Sequence, residues 1–270
     1  MKHVRPAAVA GSFYPGQARI LAEEVAALLK AAAPPLETPP PKALIVPHAG
    51  YVYSGAVAAH AYALLQSATR RITRVVLLGP AHRVAVRGLA LPDTDGFATP
   101  LGVVEIDAAG ARAVRALPQV TTSASAHAWE HSLEVQLPFL QNVLKEFKLL
   151  PLVVGDATPD EVAEVLEQVW GGTETLIVIS SDLSHYLSYE DARRTDSRTA
   201  HAILALEGAP LDHEQACGAT PVNGFLLAAR RRGLHAQLLD LRNSGDTAGS
   251  RDRVVGYAAI AFQEDATHDH

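Results

Sequence analysis

The sequence has one cysteine, Cys217, in 270 residues. That scarcity excludes an internal disulfide and any zinc site built from cysteines alone. Long cationic runs are also missing, Arg230-Arg231-Arg232 apart, and the net charge is -6. The electrostatic footprint of a nucleic-acid binder is therefore absent, and the arginine trio reads as the end of a helix, where cations favour the dipole. Met1 to Gly11 lacks the apolar core of a signal peptide, and no stretch approaches the roughly 20 apolar residues of a membrane span. The expectation is a cytoplasmic protein that engages neither nucleic acid nor membrane.

What is present is core material: 48% of residues are hydrophobic and 19% charged, with no compositional sign of disorder. The length suits one α/β domain, expected over residues 1–263, with 264–270 as a flexible polar tail carrying His268 and His270. Ala18 to Ala33 has Ile20, Leu21, Val25, Leu28 and Leu29 at helical spacing, and Pro34 to Pro41 then breaks the pattern into an extended connector. Aliphatic runs at Ala43–Val46, Arg74–Leu78, Leu149–Val154, Thr175–Ile179, Gln237–Leu241 and Val254–Phe262 read as buried strands. Helical patterns fall at Ser54–Gln66, Ala108–Leu117, Trp129–Lys145, Pro159–Trp170, Glu190–Leu206 and Val222–Arg232. This alternation predicts an α/β fold whose central sheet is largely parallel or mixed and covered by helices on both faces. Gly88–Leu91 and Val103–Ile106 are expected to pair with each other as an antiparallel excursion.

Three predicted strands run into residues that do chemistry. Leu44-Ile45-Val46 leads to Pro47-His48, Val76-Leu77-Leu78 to Gly79-Pro80-Ala81-His82, and Ile177-Val178-Ile179 to Ser180-Ser181-Asp182-Leu183-Ser184-His185. Ligands of open parallel sheets bind outside the carboxyl ends of the strands, so these exits can converge on one crevice. Singly, each histidine is an ordinary loop imidazole bonded to a carbonyl; together they indicate a site. His60, His201, His213 and His235 have no polar companion motif and keep the ordinary reading.

His127, Glu130, His131 and Glu134 stand at i, i+3, i+4 and i+7, which on a helix is one face and here is expected to line a pocket wall. The likeness to a zinc-protease helix is superficial, because Glu130 directly precedes the second histidine instead of following the first. Cys217 precedes the helix predicted from Val222, and a helix N-terminus stabilises a thiolate, favouring reactivity or metal ligation.

The strings Arg5 to Pro15, Pro47 to Gly55, Gly79 to His82, Glu130 to Leu140, Ser180 to Tyr186, Ala216 to Gly218, Asn243 to Asp246 and Val254 to Tyr257 together resemble the Memo family, called AmmeMemoRadiSam system protein B in bacteria and archaea. The resemblance runs from about residue 5 to residue 263. It implies a fold similar to the LigB-type class III extradiol dioxygenases, which hold iron(II) through two histidines and a carboxylate. It also implies a metal set of His48, His82 and Cys217, with Asp182 and His185 beside it; the expected catalytic groups are His185, Asp182 and Cys217, and Tyr53, Glu130, His131 and Glu134 are expected to line the pocket or bind substrate. Cys217 in place of the carboxylate shifts the expected chemistry, since thiolate is the softer ligand; Fe(II) is the first expectation, copper the second and zinc the third. The bacterial name further implies functional links to a radical SAM protein and an Ammecr-domain protein.

Three functions follow. One is a metal-dependent, dioxygenase-like oxidoreductase with His185 transferring protons and Asp182 and Glu134 orienting ligands. Another is a scaffold that binds a small-molecule or peptide ligand through Tyr53, His82 and His185. The third makes Cys217 a nucleophile, with His185 as base and Asp182 as orienter, in a hydrolase or transferase.

Overall fold

The computed structural model describes residues 3–32 and 39–264; the connector residues 34–38 and most of the expected tail, including His268 and His270, lie outside them. Within the described chain the elements are β1 (Val4–Arg5), α1 (Ala18–Ala31), β2 (Ala43–Val46), a π-turn (Tyr51–Gly55) leading into α2 (Ala56–Ala63), β3 (Arg74–Pro80), β4 (Leu89–Leu91), β5 (Gly96–Thr99), β6 (Gly102–Glu105), α3 (Ala108–Arg115), β7 (Val120–Thr122) and α4 (Ala124–Ala128). They continue as α5 (Leu137–Val143), β8 (Lys148–Val154), α6 (Pro159–Gln168), β9 (Thr175–Ser180), β10 (His185–Leu187), α7 (Tyr189–Leu204), α8 (Ala219–Arg231), β11 (His235–Asn243) and β12 (Val254–Gln263). No helix among the described residues is long and apolar enough to cross a membrane.

One mixed sheet dominates, in the order β10-β12-β2-β9-β3-β8-β4-β7, with β11 on β12. Its centre is parallel: β2 with β9, β9 with β3, β3 with β8. Continuous aliphatic runs form these strands because both faces are buried. Leu44, Val46, Val75, Leu77, Leu176 and Val178 face one core with α1, α2 and α5. Their alternates Ala43, Ile45, Val76, Leu78, Ile177 and Ile179 face another with α6 and α8. Local signals set the helix starts. Before α6, Thr158 Oγ accepts from Glu161 N and the Glu161 carboxylate accepts from Thr158 N, a reciprocal cap that satisfies two otherwise orphaned donors.

Two expectations are corrected. Residues 88–91 and 103–106 do not pair with each other: β4 lies between β8 and β7, whereas β6 pairs with β5 in a separate small sheet. The helix expected over Trp129–Lys145 starts only at Leu137, so His127, Glu130, His131 and Glu134 do not share a helix face. The Glu130 carbonyl, which a helix would use for its own ladder, accepts from Arg5, and Arg5 also shares the His127 carbonyl with the backbone N–H groups of the tight turn that ends α4. The Glu130 carboxylate also accepts from the nearby Ser132 N, a local bond that competes with helix formation.

Candidate metal centre

Because β9 lies between β2 and β3, with Val46 opposite Ser180 and Leu78 opposite Ile179, the three strand exits emerge side by side. His48 and His82 meet there with ring centroids 5.1 Å apart. The irregular segment after α4 adds His131, 5.4 Å from the His48 ring and 4.7 Å from that of His82. Each of the three offers a donor nitrogen, and these atoms all lie within 4.8 Å of one another. Their approach needs Gly79 at the end of β3: a Cβ there would stand 2.7 Å from Ser132 Oγ and 2.9 Å from Leu133 Cδ2. A second glycine, Gly218, lets the Cys217 loop close on β9, since its Cβ would fall 2.7 Å from the Ser181 side chain.

Neighbouring groups decide which nitrogens are free. His82 Nδ1 is 2.9 Å from the Glu130 carboxylate and His185 Nδ1 is 2.8 Å from the Leu183 carbonyl. Both partners only accept, so each Nδ1 carries a proton and Nε2 is the atom turned toward the site. Although burial works the other way, His82 and the backbone N–H groups of Ser132 and His82 hold Glu130 at about 2. His131 Nδ1 is buried 3.3 Å from the Glu130 carboxylate but makes no well-directed hydrogen bond, and Phe13 packs on its ring at 4.7 Å. Burial, reinforced by the other imidazoles, pushes His48 well down; burial takes His131 to about 4 and lowers His185. His48, His131 and His185 are thus neutral at pH 7, the form that ligates metal. The donor set fits a divalent ion.

Cys217 Sγ stands 3.3 Å from His48 Nε2 but outside the three-histidine set. Burial, and then the Asp182 charge, raises its thiol to about 12. The stabilised thiolate expected from helix position is overturned in the metal-free protein, because desolvation outweighs the backbone N–H of Gly218. Asp182 Oδ1 accepts from His48 N at 2.7 Å, and burial lifts this carboxyl to about 7.

A cleft of about 1180 Å³ opens over His48, His82, His131, Asp182, His185 and Cys217. Tyr53, Glu130 and Glu134 are not in its lining. Tyr53 is 39% exposed in the π-turn, Glu130 supports His82 from beneath, and Glu134 ties down the N-terminal segment through Arg5, Ala8, Val9 and Tyr14. The cleft wall instead includes Arg83, Arg198 and His213, which no motif in the sequence distinguishes.

The family profile described as Memo-like protein matches residues 5–261. A MEMO1 family protein of Archaeoglobus fulgidus is 36% identical, covering 97% of this chain and 100% of the relative. One from Aquifex aeolicus is 38% identical, covering 96% and 99%. In three dimensions the chain is similar to an uncharacterized protein, JW3007, from Escherichia coli K12, with a TM-score of 0.50 at 15% identity over 80% of this chain and 98% of that one.

Proposed function

Because the chain belongs to the Memo family, we propose that it is a metal-dependent oxidoreductase in which His48, His82 and His131 hold a divalent ion and a small polar substrate occupies the adjoining cleft. The observation that carries this reading is the convergence of three imidazole donors within 4.8 Å at the floor of that cleft. Three imidazole donors suit iron, copper or zinc; Fe(II) is the metal this reading names, with copper next. When bound, the ion supplies Lewis acidity and, for iron or copper, a redox couple. Cys217 stands beside His48 as a further donor, and ligation would remove the proton that burial otherwise retains.

The remaining groups have acid–base roles. His185, with Nδ1–H engaged by Leu183 O, offers Nε2 as the acceptor for a substrate hydroxyl proton. Asp182, lifted to about 7, exchanges a proton near neutrality while its Oδ1 holds the His48 backbone.

Elemental analysis of anaerobically purified protein tests the reading. We expect stoichiometric iron or copper in the wild type, its loss in His48→Ala and His131→Ala, and weaker retention in Cys217→Ser. Retention of metal by both histidine variants at wild-type affinity would overturn it.

A further inference from the structure

Ser180 ends β9 beneath His48 and is fully buried. Three polar atoms surround its hydroxyl: Ser132 O at 2.6 Å, Gln136 Nε2 at 2.8 Å and His48 Nδ1 at 2.9 Å. A hydroxyl has one proton and two lone pairs, so the assignment is determined. The Ser132 carbonyl has no proton to give and receives the Ser180 O–H. Gln136 Nε2 can only donate and takes one lone pair. The remaining lone pair faces His48 Nδ1, which must therefore carry a proton. His48 Nε2 is left bare, 3.3 Å from Cys217 Sγ and among the metal donors.

The orientation of the Gln136 amide is fixed in turn. Its nitrogen lies 2.9 Å from Pro47 O, an acceptor, so the amide oxygen and nitrogen cannot exchange places. Its Oε1 accepts from the Tyr62 hydroxyl at 2.8 Å. Tyr62 is fully buried on α2, its ring stacked on Phe139 with centroids 5.0 Å apart. A directed chain of hydrogen bonds thus links a core tyrosine to a candidate metal ligand. Reversing its last bond would strip Ser132 O of its donor inside the protein, which shifts such an equilibrium roughly 10- to 100-fold.

We propose that Ser180 and Gln136 are positioning residues that hold His48 as the Nδ1–H tautomer and so present Nε2 as a donor. The benefit to metal binding rests on the proposed function; the tautomer itself does not. His82 is fixed differently, by the Glu130 carboxylate, which also raises ligand basicity. His48 gains orientation from a neutral hydroxyl without that added charge.

The test uses two-bond nitrogen–proton correlation spectra of histidine-labelled, metal-free protein, with the His48 signal assigned by its loss in His48→Gln, together with Co(II) titration. Wild type should show His48 as Nδ1–H. Ser180→Ala removes the acceptor at little cost in volume; it should shift His48 toward Nε2–H and weaken Co(II) binding roughly 10- to 100-fold. Gln136→Leu should give a smaller shift in the same direction. A wild-type Nε2–H pattern would overturn the inference whether or not the variants fold, as would Ser180→Ala with an unchanged tautomer and affinity. If the tautomer shifts as expected while wild type binds no Co(II), the positioning role stands and the metal reading falls.

Discussion

Replacing Glu134 by Gln tests how the N-terminal segment is joined to the site. The carboxylate is fully buried. Its Oε2 accepts from Arg5 Nη1 at 2.6 Å and Ala8 N at 2.8 Å, and its Oε1 from Val9 N at 2.9 Å and the Tyr14 hydroxyl at 2.6 Å. All four donors come from residues 5–14. The amide group of Gln cannot accept at its nitrogen, so whichever oxygen it replaces, two donors face an NH2 and the charge opposite Arg5 disappears. Arg5 is itself only 4% exposed. Breaking a buried ion pair at one partner costs about 3–5 kcal/mol, and each hydrogen bond to a charged group contributes about 1.5–3 kcal/mol. These figures describe overlapping losses, so the expected destabilisation is about 4 kcal/mol, much of the roughly 5–15 kcal/mol that a domain possesses. Urea unfolding of wild type and Glu134→Gln at pH 7 measures it. A loss below about 1 kcal/mol would refute the view that this carboxylate clamps the segment. The site should also respond: Phe13, carried on that segment, packs on His131 and accepts from Tyr51 N at 2.8 Å, so metal affinity should fall with stability.

Two further outcomes follow from groups held out of water. His127 donates through Nε2 to Ala90 O at 2.8 Å, its Nδ1 is buried without a hydrogen-bond partner, and burial takes its pKa to about 4. Above pH 6.5 the folded and unfolded chains both carry it neutral. As pH falls from 6.5 to 4 the unfolded chain gains a proton that the folded one refuses, so stability declines, by about 3 kcal/mol from this residue at 1.36 kcal/mol per pH unit; urea titrations across that range should show a shallower decline in His127→Gln, and an identical one would refute the assignment. Cys217, at about 12, should react with iodoacetamide in metal-free protein at pH 8 roughly a thousandfold more slowly than a free cysteine, because the thiolate is the nucleophile; a rate matching free cysteine would contradict the buried, protonated thiol.

The position of the site was legible in the sequence because three aliphatic runs end in histidine or in a serine–aspartate–histidine string, and parallel strands must deliver such ends to one edge of the sheet. His48 and His82 were read from that pattern and stand together in the structure. The sequence pattern puts His131 on a pocket wall, whereas in the structure it stands among the candidate metal donors, and Cys217 adjoins only one of them. Ser180 and Gln136 both fall inside recognisable strings, Ser180 to Tyr186 and Glu130 to Leu140. Their roles depend on a count of protons and lone pairs around one oxygen, and spacing carries no such count.

The misread segment shows why local pattern fails where distant residues compete for the backbone. Nothing between Trp129 and Leu133 forbids a helix by composition, and the i, i+3, i+4, i+7 spacing favours one. What prevents it is Arg5, which lies more than 120 residues earlier, takes the carbonyl of Glu130 and shares that of His127. Glu130 is simultaneously drawn to His82, 48 residues away. A helix would set Glu130 and His131 about 100° apart around its axis. The unwound backbone instead lets Glu130 turn under His82 while His131 reaches the same donor cluster from another side. Segments that build sites from several strands are therefore where periodicity misleads most, because long-range charge-assisted bonds there outweigh the small helix preference of a few residues.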